Sequence, residues 1–265
     1  MDIKTVKAVI CRQFGSPEDV LELTQEDPGS PGPGQARVSM LAAPVNPADI
    51  NVIQGKYGLL PELPAHCGNE GVGEVVALGP GVRGLEVGAR VRPVPGVGTW
   101  REELVAPAEQ LTPLPAGMQV EHAAMLTVNP ATAYRMLKDF VDLEPGAWVL
   151  QNAGTSAVGW HVVQLCRHMG LRSLSVVRRE EARRELRDLG ADQVLTEEES
   201  SARRIREVCG DQDPRLALNG VGGRSALNLA LALGARGTLV TYGAMCMEPV
   251  RIPNGPLIFK ELRLA

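Results

Sequence analysis

The chain has 265 residues, enough for two modest domains, with 44% hydrophobic and 22% charged side chains and a net charge of only −4, the composition of a soluble globular chain. Its basic residues are scattered, which argues against a nucleic-acid or membrane surface, and no apolar run approaches the ~20 residues of a membrane helix. The 5 cysteines (Cys11, Cys67, Cys166, Cys209, Cys246) are odd in number, far apart and without a CxxC pair, so neither a zinc ribbon nor a disulfide framework is expected and a reducing compartment fits.

Residues 1–7 lack both the Arg-rich amphipathic pattern of a transit peptide and the apolar core of a signal peptide, so a targeting segment is expected to be absent or already removed. From there to about residue 125 the chain reads as short strands punctuated by proline and glycine. Strands are predicted over 6–11 and 20–24, a turn-rich connector over 27–34 and a partly alternating strand over 36–44. Asn46 followed by Pro47 reads as an N-cap with proline at the first helical position, opening a short helix that ends by Gly55. A loop over 56–64 follows, then strands over 68–78 and from 88 to 93. Short strands separated by such turns suggest a partly open β-barrel.

The second half alternates helix and strand. Asn129-Pro130 repeats the cap signal and opens a helix to about residue 142, with Ala133, Met136, Leu137, Phe140 and Val141 on its apolar side; Pro145-Gly146 breaks it. A fully apolar strand over 148–151 leads through the small-residue turn 152–156 into a helix over 158–169 closed by Gly170. The next strand, over 174–177, completes a βαβ unit whose tight first turn lets a dinucleotide pyrophosphate sit on the helix N-terminus. The glycine fingerprint is incomplete: Gly154 and Gly159 are present, but Ala153 and Ala157 stand where glycines are often found. At the end of the second strand, Arg178 and Arg179 have the guanidinium forks that suit the 2′-phosphate of NADPH, while Glu180 and Glu181 suit the start of the next helix. A helix marked by Ala182, Leu186 and Leu189, closed by Gly190, precedes a strand over 193–196 and a polar helix through Ile205 and Val208. Strand 216–221, helix 226–233 and strand 238–242 complete the pattern of a parallel doubly wound sheet.

At this point the chain resembles a known family. Residues 46–51 (Asn-Pro-Ala-Asp-Ile-Asn), the tyrosine loop 54–64, and residues 68–73, 98–100, 129–137 and 216–223 match the medium-chain dehydrogenase/reductase superfamily. Within it they are most similar to the mitochondrial trans-2-enoyl-thioester reductases, and the resemblance covers nearly the whole chain. It implies an α/β protein: a GroES-like catalytic domain over 1–125, and a Rossmann domain over 126–265. It implies an enzyme that uses NADPH to reduce the C2–C3 double bond of an enoyl thioester of acyl carrier protein or CoA in mitochondrial fatty-acid synthesis. A homodimer in the mitochondrial matrix is expected, with the cytoplasm as the alternative.

Tyr57 matches the family's proton donor. The role suits a phenol, since an ordinary tyrosine pKa of ~10 keeps the hydroxyl protonated at neutral pH. Asn129 matches a cofactor-contacting asparagine that is also a helix cap. Thr155, Ser156, Ala157 and Val158 match the phosphate turn, Arg178, Arg179 and Glu180 the 2′-phosphate corner, and Tyr242, Gly243, Ala244 and Met245 a loop near the nicotinamide. No metal is expected. Zinc-dependent relatives carry Gly-His-Glu where this chain has Gly68-Asn69-Glu70, and the adjacent His66 and Cys67 alone cannot build a tetrahedral site, so they are expected to pack in the loop. His122, His161 and His168 read as structural or exposed. The sequence stops at Leu264-Ala265, where the family's final strand begins, so a fragment or shortened variant is expected. Two other activities stay open: a quinone-type reductase of the same superfamily, and a non-catalytic chain acting as a binding partner.

Overall fold

The computed structural model of the chain describes residues 5–265, so part of the stretch read for a leader lies outside the described residues. The chain divides after Val128 into two compact units.

In the first unit, strand β1 (Val6–Cys11) is followed by a single turn of helix, α1 (Pro17–Val20), and β2 (Leu21–Glu26). Next come β3 (Gln35–Ala42), helix α2 (Pro47–Ile53), β4 (Ala65–His66) and β5 (Val72–Leu78). Strands β6 (Arg90–Pro93), β7 (Glu103–Pro107) and β8 (Leu111–Pro113) precede helix α3 (Val120–Ala124). Two antiparallel sheets result, ordered β2-β1-β4 and β7-β3-β5-β6-β8. Period-2 alternation sends Ala36 and Val38 of β3, Val75 of β5, Val91 of β6 and Leu104 and Ala106 of β7 into one shared core.

Several expectations need correction here. Val20 ends α1 instead of opening a strand, because Pro17 with Glu18 and Asp19 makes a good first helical turn. Residues 68–71 are not strand: Gly68 has φ +92°, and a Cβ there would sit 2.4 Å from the Trp100 ring. His66 lies in β4, paired with Ile10 of β1, and not in a loop. Strands β4 and β8 and helix α3 carry too few residues to show a period.

In the second unit, helix α4 (Asn129–Lys138) leads to β9 (Trp148–Gln151), α5 (Ala157–His168), β10 (Arg172–Val177) and α6 (Ala182–Leu189). The alternation continues through β11 (Gln193–Thr196), α7 (Ala202–Cys209), β12 (Leu216–Asn219), α8 (Gly223–Ala232) and β13 (Thr238–Thr241). Helix α9 (Asn254–Phe259) and strand β14 (Arg263–Leu264) end it. The six strands form one sheet ordered β11-β10-β9-β12-β13-β14, parallel throughout. Trp148 and Leu150 of β9 face the core shared with Ile205 of α7 and Leu229 of α8. Val149 faces the opposite core, with Met136 and Leu137 of α4 and Val158 and Val162 of α5. Helices on both faces explain why β9 is buried at every position; each fully buried leucine or valine contributes roughly 1.5–3 kcal/mol.

Several boundaries differ from expectation; β10 starts at Arg172 and α8 at Gly223, each earlier than its sequence signal. Asn129 is itself the first residue of α4 and not its cap, because turn 125–128 runs straight into the helix, which stops at Lys138. Strand β12 ends at Asn219, two residues early, because the Asn219 Oδ1 accepts the amides of Val221 (3.2 Å) and Gly222 (2.9 Å) and turns the chain away from the ladder.

Candidate active site

Helix α2 starts the site of the first unit. The amide of Asn46 donates to Asp49 Oδ2 at 2.7 Å, and Asn46 Nδ2 donates to Glu70 Oε1 at 2.8 Å. Asp49 also accepts the Asn69 amide at 3.0 Å. Glu70, 1% exposed, further accepts the amides of Thr127 (3.0 Å) and Val128 (2.9 Å) through Oε2. Burial raises both acids above the usual carboxylate range against the pull of these hydrogen bonds. The two carboxylates thus clamp the end of α2 to the segments at 69–70 and 127–128. Sequence reasoning missed them as organisers, although both fall inside motifs that carried the family resemblance.

Beyond α2, the loop bearing Tyr57 closes over a cavity of about 390 Å³ lined by Phe14, Val52, Ile53, Leu60, Leu63 and Cys67, with Asp49, His66 and Asn69 at its polar side. Tyr57 lines this cavity and is 47% exposed. Burial, with Cys11 and Asp49 adding to it, pushes the Cys67 thiol up to about 11, which keeps it a neutral wall. His66 Nε2 lies 2.9 and 2.8 Å from the two carboxylate oxygens of Glu26, so its ring is held by an acid of β2. Among the described residues no group of three or more His, Cys, Asp or Glu side chains is placed to hold a metal ion.

In the second unit the sheet carries its candidate residues at the carboxyl ends of β9, β10 and β13. Strand order reverses between β9 and β12, the switch point where open α/β sheets take their ligands. The turn after β9 is built for close approach. Ala153 takes φ +51°, a glycine-like conformation, so the backbone shape of the missing fingerprint glycine is kept by an alanine. Ser156 caps α5 through its Oγ, which accepts the Gly159 amide at 3.0 Å. A Cβ on Gly159 would fall 2.6 Å from the Gly154 carbonyl oxygen and 2.7 Å from that of Ala153. The turn therefore lies directly on the helix, and the first-turn amides of Ala157 and Val158 have no carbonyl partner earlier in α5. Thr155 is exposed, Ser156 and Ala157 half-buried and Val158 buried.

A buried polar lattice that sequence reasoning missed holds this edge. Gln151 Nε2 donates to the Gly159 carbonyl (3.0 Å) and Ser175 Oγ (2.8 Å). Asn152 Nδ2 donates to Asn219 Oδ1 at 2.8 Å, while Asn152 Oδ1 accepts the Gly220 amide at 2.7 Å. The available signal was a polar residue ending an apolar strand at each of 151–152 and 219. Tyr242, Gly243, Ala244 and Met245 follow β13, and the Met245 amide donates to the Gly220 carbonyl at 3.1 Å. The buried Tyr242 hydroxyl makes no hydrogen bond of good geometry among the described residues, and burial raises its pKa, only partly offset by nearby Ser156. Arg178, Arg179 and Glu180 lie exposed where β10 ends. Asn129, buried at 7%, heads α4, whose apolar side packs with that of α5. The glycine-tight turn, the two exposed arginines and the orphaned hydroxyl suit a phosphorylated dinucleotide.

Residues 157–265 match the zinc-binding dehydrogenase family and residues 32–116 the alcohol dehydrogenase GroES-like domain. The mitochondrial enoyl-acyl-carrier-protein reductase of Bos taurus is 47% identical over 265 residues, covering 98% of this chain and 71% of that protein. The solved Etr1p/NADP/crotonyl-CoA complex is 37% identical, with a TM-score of 0.94 over 99% of this chain and 81% of that one. The Etr1p/Etr2p heterodimer, a mitochondrial 2-enoyl thioester reductase from Candida tropicalis, is 36% identical with a TM-score of 0.92 and covers 99% of this chain and 81% of that one.

Proposed function

The chain belongs to the family of mitochondrial enoyl-acyl-carrier-protein reductases, at 47% identity over 98% of its length, and from that premise we propose that it uses NADPH to reduce trans-2-enoyl thioesters to acyl thioesters. Acyl carrier protein or CoA carries the substrate, and the setting is fatty-acid synthesis in the mitochondrial matrix. The carrying observation is Tyr57: a phenol on a loop that lines a largely apolar cavity. When bound, NADPH supplies hydride to C3. Negative charge then develops on C2 and the thioester oxygen, and Tyr57 is the group that holds a proton for C2. The apolar cavity beside Tyr57 excludes water from the acyl chain.

Thr155, Ser156, Ala157 and Val158 hold the pyrophosphate, the amides of α5 supplying hydrogen bonds and the helix dipole favouring negative charge. Arg178 and Arg179, with Glu180 beside them, form the corner for the 2′-phosphate. Asn129 and the loop Tyr242, Gly243, Ala244 and Met245 complete the carrier's contacts. By analogy with the two-chain Candida tropicalis enzyme, the chain works as a dimer of identical copies. Among the described residues no helix is long and apolar enough to cross a membrane.

The test is NADPH oxidation with a crotonyl thioester, by wild type and Tyr57→Phe, with a parallel quinone assay. Turnover of the thioester that collapses in Tyr57→Phe supports the reading. Equal rates for the two proteins would remove Tyr57 from the chemistry, and turnover of the quinone alone would replace the substrate class.

A further inference from the structure

Where β10 ends, two cations and a carboxylate stand side by side, Arg178, Arg179 and Glu180. A guanidinium takes a 2′-phosphate, whereas a carboxylate suits the ribose hydroxyl of the carrier that lacks one. By sequence the phosphate falls to the arginines, but nothing there says what keeps the neighbouring carboxylate out of the corner. A residue outside the trio holds that carboxylate. Arg183, in the first turn of α6, pairs with Glu180: Nη2 donates to Oε2 at 2.8 Å, and Nε lies 2.8 Å from Oε1 as an ion pair without hydrogen-bond geometry. The same guanidinium donates from Nη1 to the Val194 carbonyl at 2.7 Å and from Nη2 to Glu199 Oε2 at 2.7 Å. Glu199 is anchored in turn, since its Oε2 accepts the Thr196 amide at 2.9 Å.

Val194 and Thr196 belong to β11, which pairs with β10 so that Thr196 stands opposite Val177. Arg183 therefore ties the corner to β11 directly through the Val194 carbonyl and indirectly through Glu199, which the Thr196 amide anchors. Its side chain is only 15% exposed and is committed to these partners, while Arg178 and Arg179 are exposed and form no ion pair among the described residues. The hydrogen bonds it donates to Glu180 and then Glu199 hold Arg183 firmly in its charged form.

We propose that Arg183 is a positioning residue for carrier choice: it holds the Glu180 carboxylate against β11, so that Glu180 neither accepts from a ribose hydroxyl nor repels a phosphate, and Arg178 and Arg179 set the corner's sign. The inference rests on NADPH being the carrier. A lysine at 183 keeps the charge and loses the planar fork.

Calorimetric titration of the full chain with adenosine 2′,5′-bisphosphate and with adenosine 5′-monophosphate isolates the corner from the chemistry. The proteins are wild type, Arg183→Ala, Arg183→Lys and the double variant Arg183→Ala/Glu180→Gln. Wild type is expected to prefer the bisphosphate. Arg183→Ala should reduce that preference by ~10-fold, the scale of one lost charge-holding contact, through weaker bisphosphate binding with monophosphate binding held. The lysine variant should fall between, and the double variant should return most of the preference. Two outcomes overturn the proposal: an unchanged preference in Arg183→Ala, or an equal loss for both ligands that Glu180→Gln does not relieve, the mark of a merely structural role. A wild type without preference would instead sink the NADPH reading itself.

Discussion

Substituting Gly159 by alanine tests whether the turn after β9 is seated on α5 for a functional purpose. The added Cβ would stand 2.6 Å from the Gly154 oxygen and 2.7 Å from the Ala153 oxygen, where ordinary contact begins at 3.4 Å. Helix and turn must therefore separate by roughly 0.8 Å, and both obstacles are backbone, so no side chain can swing aside. The separation strains the Ser156 cap on the Gly159 amide, now 3.0 Å, and the Gly154 amide bond to the Val176 carbonyl, now 3.1 Å. A lost cap costs about 1 kcal/mol and overpacking about 1–3 kcal/mol. The sum of about 2–4 kcal/mol lowers the unfolding midpoint of the second unit by about 10 °C. Displacing the first-turn amides of α5, proposed to hold the pyrophosphate, by most of an ångström should weaken NADPH binding by about 100-fold. Gly154→Ala is the milder comparison, because its Cβ meets Ser175 Cβ at 3.0 Å, Leu186 Cδ1 at 3.1 Å and the Val176 carbonyl oxygen at 3.3 Å, each within about 0.4 Å of ordinary contact. Its expected effect is under about 1 kcal/mol, with affinity nearly kept. Thermal unfolding and titration with NADPH on the three proteins decide the matter. Undiminished NADPH affinity in Gly159→Ala, or a larger loss in Gly154→Ala, would refute the reasoning.

Three further outcomes are expected. Tyr57→Phe should lower kcat by about 100- to 10,000-fold, the usual range for a general acid, while leaving the affinity for NADPH unaltered; a tenfold weaker carrier would argue for a structural role. Ala153→Gly should stabilise the protein by about 0.5–1 kcal/mol, since an L-residue at φ +51° costs about 1–2 kcal/mol and glycine's extra chain entropy returns part of that. A lowered melting temperature there would contradict the strain argument. Glu70 supplies a pH signature: burial raises its folded pKa above the unfolded value, so the folded state binds its proton more tightly. Its contribution is therefore fully present below the unfolded carboxylate pKa of ~4.3 and is lost as pH rises through the folded value. Relative to Glu70→Gln, which cannot titrate, the wild type should gain melting temperature as pH falls from neutrality toward that range. A difference that stays flat, or reverses sign, would exclude a raised Glu70.

The family and both architectures were legible in the sequence alone, because their signals are local. Period-2 and period-3.6 apolar spacing, an asparagine before a proline, and a glycine after a helix each act within a few residues. The tyrosine loop around Tyr57 and the motifs at 46–51 and 129–137 carried the family, and the relatives bear that out. Elements too short for a period, such as β4 and β8, left no such trace.

What depends on residues far apart in the chain was decided only by the tertiary structure. The Asn152–Asn219 bond joins residues 67 positions apart, and the Asn46–Glu70 bond residues 24 apart. Ala153 breaks a glycine pattern in letters while keeping it in conformation, which no residue count reveals. At the end of β10 the sequence assigns Arg178 and Arg179 to a phosphate and Glu180 to the start of the next helix, but only the packing of α6 against β11 shows that Glu180 pairs with Arg183. The physical reason is general: backbone preference is set by neighbours along the chain, whereas an electrostatic environment is a sum over everything nearby in space, and only the fold determines what is near.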